Sequence, residues 1–144
     1  MMTLGTAQIS SSVAPAAFFA HWADTAAWPE WSADTEWVRL DGPFAQGTTG
    51  VLKPKGGPKT KFVITVLTER EFTDVSQLPG AKLTFRHQVD VDETGATVVR
   101  VTASLTGPMT WMWNKILGKG IATTVPRDLN GLKAAAEAKA EVAA

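Results

Sequence analysis

The hydrophobic period of this chain changes at Gly107-Pro108, and no other feature constrains the fold as much. From Asp34 to that point the pattern is extended, with segments at 35–41, 47–53, 59–68, 70–78, 81–91 and 95–106. Turn formers separate them: Asp41-Gly42-Pro43, Gly56-Gly57-Pro58, Pro79-Gly80 and Glu93-Thr94-Gly95. Short strands joined at this spacing predict an antiparallel meander. Beyond Gly107-Pro108, Met109, Met112, Trp113, Ile116, Leu117, Ile121, Val125, Leu129, Leu132 and Ala136 recur at three- and four-residue steps. That is the stripe of one long amphipathic helix. Pro126 removes a hydrogen bond inside it and predicts a kink or short break near Thr123 to Pro126. The alanine-rich end, 134–144, is expected to fray.

The segment before Asp34 reads as one strand and two short helices. Thr3 to Ser10 is extended, and Pro15 suits a first helical turn, with Phe18, Phe19 and Trp22 spaced behind it on one face. Asp24 can cap a second helix, which Pro29 is expected to close within Trp28-Pro29-Glu30-Trp31. Helices this short need a sheet to pack on.

Within the meander, segment 81–91 alternates most regularly. Ala81, Leu83, Phe85, His87, Val89 and Val91 share one face; Lys82, Thr84, Arg86, Gln88 and Asp90 share the other. Val99, Val101, Ala103 and Leu105 extend the apolar face in the next segment. His87 is thus the one ionisable group on the apolar face of its strand. An imidazole there can orient a ligand or transfer a proton, or it can be a core residue satisfied by a neighbouring group. Asp90 and Asp92 fall on the opposite, wet face and form no dyad with it.

Composition narrows the chemistry. The chain has 144 residues, which predicts a single domain over 1–144 able to bury a sizeable core. It lacks cysteine, so disulfides, thiolate metal sites and thiol catalysis have no basis, and two histidines offer little for a metal cage. No HExxH, GxSxG or phosphate-loop motif occurs, and no metal or cofactor is called for. The formal net charge is zero, which argues against nucleic acid as a partner. Residues 1–38 contain no Lys or Arg, unlike a secretory or transit segment, and no stretch is apolar enough to span a membrane. A cytoplasmic location is expected, and the oligomeric state is left open. Lys53, Lys55, Lys59 and Lys61 form the only basic run, on a hairpin loop that either meets an acidic partner or is simply solvated.

Six tryptophans are present. Trp28, Trp31 and Trp37 gather at the helix-to-strand corner. Trp113 lies on the long helical stripe, whereas Trp111 falls off it and is expected at the surface.

The order of elements, together with Ala14-Pro15, Phe18, Phe19, Asp24, Trp28-Pro29-Glu30-Trp31, Gly42-Pro43-Phe44, Leu78-Pro79-Gly80-Ala81, His87 and Gly107-Pro108 through Trp113 to Pro126, resembles the START-like (SRPBCC) superfamily. The likeness covers essentially the whole chain and is strongest to the polyketide cyclase/dehydrase-like branch. It implies an α+β helix-grip fold: a curved antiparallel sheet of about seven strands wrapped around the long C-terminal helix, with two short helices after strand 1. It also implies an apolar cavity between sheet and helix. Leu83, Phe85, Val99, Val101, Trp113, Ile116 and Ile121 are the expected walls, Gly120 leaves room beside the helix, and His87 orients the ligand. The expected function is binding of an apolar small molecule: a lipid, a polyketide-like aromatic or a related metabolite. The alternatives are a cyclase/dehydrase enzyme using His87 as general acid/base, or a structural or protein-binding domain whose interior is filled.

Overall fold

The computed structural model describes residues 1–143. Its elements run β1 (Met2–Ser11), α1 (Pro15–Ala23), a 3-10 turn (Thr25–Ala27), α2 (Trp28–Trp31), β2 (Thr35–Leu40), β3 (Thr49–Pro54), β4 (Thr60–Leu67), β5 (Glu71–Leu78), β6 (Ala81–Val91), β7 (Thr97–Thr106) and α3 (Thr110–Ala143). The seven strands form one antiparallel sheet in the order β1-β7-β6-β5-β4-β3-β2. Six of them are the meander. β1 returns to pair with β7, closing the apolar surface of the last strand and placing the first and last strands side by side. No helix among the described residues is long and apolar enough to cross a membrane.

The helix α3 lies against β1 and β7 and is braced by α1 and α2. Two glycines allow this close approach. A Cβ on Gly5 of β1 would come within 3.1 Å of the Ala122 Cα, and one on Gly131 would strike the Trp31 carbonyl oxygen. Through the second half of α3, Val125, Leu129, Leu132 and Ala136 are buried with Phe18, Trp22, Trp28, Val89 and Val99. A smaller cluster of Ala81, Leu83 and Leu105 packs beneath the first half, against Trp113, Leu117 and Ile121. Phe85 and Ile121 touch both clusters.

Two local expectations are corrected. Pro29 occupies the first turn of α2 and so starts that helix instead of closing it, because a missing N–H costs nothing there. Pro126 sits inside α3 without interrupting it, and the helix runs as one element through the alanine-rich stretch to Ala143. Contacts on both sides of Pro126 explain the continuity: Val125 and Leu129 are buried, and Thr124 and Arg127 bond the Asp34 carboxylate. These ties offset the one hydrogen bond that proline forfeits.

Candidate functional site

Strand alternation and register together define the inner face of the sheet. On β6 it carries Leu83, Phe85 and His87; their partners on β5 are Ser76, Asp74 and Phe72, and the next strand adds Phe62 and Ile64 opposite Ser76 and Asp74. The face is therefore apolar except for Asp74, Ser76 and His87.

Asp74 is 8% exposed, between Ile64 and Phe85 in register. Burial alone pushes its carboxyl pKa up to about 7; no hydrogen bond or charge offsets the loss of water. An unpartnered carboxyl on an apolar face is costly, and native interiors seldom keep one without use. Ser76, also buried, places a hydroxyl beside it on the same strand face.

His87 faces inward. Its ring stacks on Phe72 at 4.7 Å and meets the Trp22 ring edge-on at 5.1 Å. The Nδ1–H donates to the Phe72 carbonyl oxygen at 2.8 Å, which fixes the tautomer and leaves Nε2 as an acceptor. Burial lowers its pKa to about 4, against smaller opposing effects of that carbonyl and Glu71, so the ring is neutral at physiological pH. The core-histidine reading thus accounts for one nitrogen, and Nε2 remains available to a ligand.

The expected walls, joined by Leu117, which was not among them, divide into two groups. Val99 is fully buried and Val101 and Leu83 nearly so, all packed into the two clusters. Phe85, Leu117, Trp113 and Ile121 are only half-buried, and they border the zone between the clusters near the first half of α3. Trp113 is anchored there by a 2.8 Å hydrogen bond from Nε1 to the Pro79 carbonyl oxygen. Two expectations fail. Ile116 is 61% exposed, because its place in the first turns of α3 carries it round to solvent, and it is no wall. Gly120 is exposed and a Cβ there would meet nothing, so it makes no room in the interior. Trp111 is at the surface, 59% exposed, with Lys115 above its ring.

A sizeable hollow lies outside the sheet, not between sheet and helix where the resemblance implied one. An open trough of about 710 Å³ crosses the outer face of β2 to β6, floored by Val51, Val63 and Val75 and edged by Arg39, Lys61 and Lys82. Lys53, at the base of the basic hairpin, is engaged with Glu36 and the Pro54 carbonyl.

Asp74 and Ser76 were not anticipated from the sequence. The signal was present: in Glu71-Phe72-Thr73-Asp74-Val75-Ser76-Gln77-Leu78, taking Phe72 and Leu78 as inward residues puts Asp74 and Ser76 inward with them. The flanking Val75 suggests the opposite face, and only pairing with β6 resolves the choice.

No protein-family description matches this sequence, and no curated protein does. Solved structures do match in fold. A protein from Thermus thermophilus superposes with a TM-score of 0.72 at 14% identity, over 94% of this chain and 97% of that one. A START superfamily protein from Mycobacterium smegmatis gives 0.66 at 12% identity, over 92% and 95%. The di-domain ARO/CYC StfQ from the steffimycin biosynthetic pathway gives 0.68 at 17% identity, over 97% of this chain and 52% of that one. This chain thus spans about half of the di-domain protein. The architecture is the helix-grip fold common to these proteins.

Proposed function

We propose that this helix-grip chain binds a small, mostly apolar molecule between the inner face of β4 to β6 and the first half of α3. The observation that carries the reading is Asp74: a buried carboxyl without a protein partner, on a face otherwise built of Ile64, Leu83 and Phe85. His87 Nε2 and the Ser76 hydroxyl supply further polar contacts, while half-buried Phe85, Trp113, Leu117 and Ile121 form the apolar lining. A few polar groups in an apolar lining are the ordinary composition of a small-molecule site. The fold shared with a START superfamily protein and with an ARO/CYC domain agrees with this reading. On it, the protein acts in the cytoplasm on a small molecule, without nucleic acid as a partner.

The test is titration of the protein with a library of lipids and fused-ring aromatics, followed by tryptophan emission. Trp22 stands against His87 and Trp113 borders the lining, so a ligand there should quench or shift the signal. Ile121→Trp, which enlarges the half-buried residue between the two clusters, should weaken the response. A library that leaves emission unchanged, or an Ile121→Trp variant that binds as well as the parent, argues against interior binding.

An enzymatic reading is favoured by one observation, and it relocates the chemistry. With a pKa near 4, His87 holds a proton in only about one molecule in a thousand at pH 7, too few for a general acid. Asp74, with a pKa near 7, is the group matched to proton transfer. Under a cyclase or dehydrase reading, Asp74→Asn should stop turnover while His87→Gln keeps most of it.

A further inference from the structure

We propose that the interior site selects an apolar ligand that carries a protonated amine, with the ammonium group donating to the Asp74 carboxylate, and that it rejects free carboxylates of the same size. This inference rests on the interior-binding reading and adds to it the chemical class of the ligand.

The surroundings of Asp74 on the inner face carry no balancing charge. Its neighbours in register, Ile64 on β4 and Phe85 on β6, are apolar. The diagonal neighbour on β6, His87, is neutral above about pH 4. From the helices, Phe18 and Trp22 of α1 and Ile121, Val125, Leu129 and Leu132 of α3 face the interior, and none is charged. On α3, Glu137 is bonded to Ser11, and Asp128 accepts from Ser32 through Oδ2 at the α2 side of the helix, its Oδ1 buried without a partner. Among the described residues, no Lys or Arg lies on the inner strand faces. The sheet side of the interior therefore offers one potential negative charge and no cation.

A ligand carboxylate placed there would meet a like charge in a low-dielectric setting with nothing to balance it. A neutral alcohol can donate one hydrogen bond but leaves the carboxyl largely in its own burial. An ammonium supplies both donors and the missing opposite charge, and charge-assisted hydrogen bonds are the strong ones.

Calorimetric titration with octylamine, octan-1-ol and octanoate at pH 6 and pH 8 tests this on the intact protein. The chains match in length and differ only in the head group. Octylamine should bind at least about tenfold more tightly than octanol at pH 8, with octanoate weakest. Octylamine affinity should rise about ninefold from pH 6 to pH 8, as Asp74 passes from roughly one-tenth to nine-tenths ionised, while octanol affinity stays level or falls. Asp74→Asn should bring octylamine down to the octanol level and abolish its rise between pH 6 and pH 8. The wild-type pH series does not depend on how well that variant folds. Octanol binding as tightly as octylamine, or an amine preference that survives Asp74→Asn, overturns the selectivity and leaves interior binding standing. Absence of binding by all three probes, together with a silent fluorescence library, overturns both.

Discussion

Asp74 on β5 and His87 on β6 are diagonal neighbours on the inner face: His87 pairs with Phe72, and Asp74 lies two residues further along the same strand, opposite Phe85. Burial moves their pKa values in opposite directions, to about 7 for the carboxyl and about 4 for the imidazole. Both groups are held towards their neutral forms, which is the state an apolar surround favours.

For Asp74 the folded pKa is raised above the unfolded value near 4. Between about pH 4 and pH 7 the unfolded chain has released the proton and the folded one has kept it, so stability falls as pH rises, by up to about 1.4 kcal/mol per unit. Asp74→Asn removes this dependence. Urea unfolding at pH 4.5 and pH 7.5 should show the variant gaining relative to the parent at the higher pH. A parent-to-variant difference equal at both values would count against the buried carboxyl.

The sign is reversed for His87. Its folded pKa is lowered, so in the window from 6.5 down to 4 the unfolded chain takes up a proton that the folded chain refuses, and stability is lost as pH falls. His87→Gln should cost more at pH 7 than at pH 4.5. In proton NMR the His87 ring signals should not titrate above about pH 5, and a midpoint near 6.5 would show an exposed ring.

Two glycines of α3 should respond in opposite directions. Gly131→Ala puts a methyl group into the Trp31 carbonyl and forces α2 away from α3, at a cost of about 1–3 kcal/mol. Gly120→Ala meets open space on an exposed helical surface and should gain about 0.5–1 kcal/mol from propensity alone. Thermal melts of the two variants measure both, and equal shifts would contradict the close α2–α3 approach.

The neighbouring tryptophans should differ as well. Trp113→Phe loses the hydrogen bond to Pro79 and part of the packing on Leu83 and Leu105, worth about 1–2 kcal/mol. Trp111→Ala, at the surface, should stay within about 0.5 kcal/mol. Denaturant midpoints at constant slope give the comparison.

Much of the architecture was legible in the sequence because it is written in local periods. Alternation in 81–91 placed His87 inward, the breakers located four of the five hairpins of the meander, all but the Thr68-Glu69-Arg70 turn, and the three- and four-residue stripe located α3. These signals depend only on which way successive side chains point. The stripe failed at Ile116 because the face of α3 that packs on the sheet here follows Trp113, Leu117 and Ile121, and Ile116 is turned away from it into solvent. Pro126 misled because a proline's local cost was set against tertiary contacts that a sequence does not display.

By itself the sequence determined the order of strands and helices, the α+β class and the inward imidazole. The tertiary structure decided that β1 closes on β7, that Gly5 and Gly131 let α3 approach, and that Asp74 stands unpartnered between Ile64 and Phe85. Those facts involve residues far apart in the chain, and burial of a charge is a property of everything that surrounds it. A carboxyl in Thr73-Asp74-Val75 looks like any surface aspartate until the neighbouring strands remove its water.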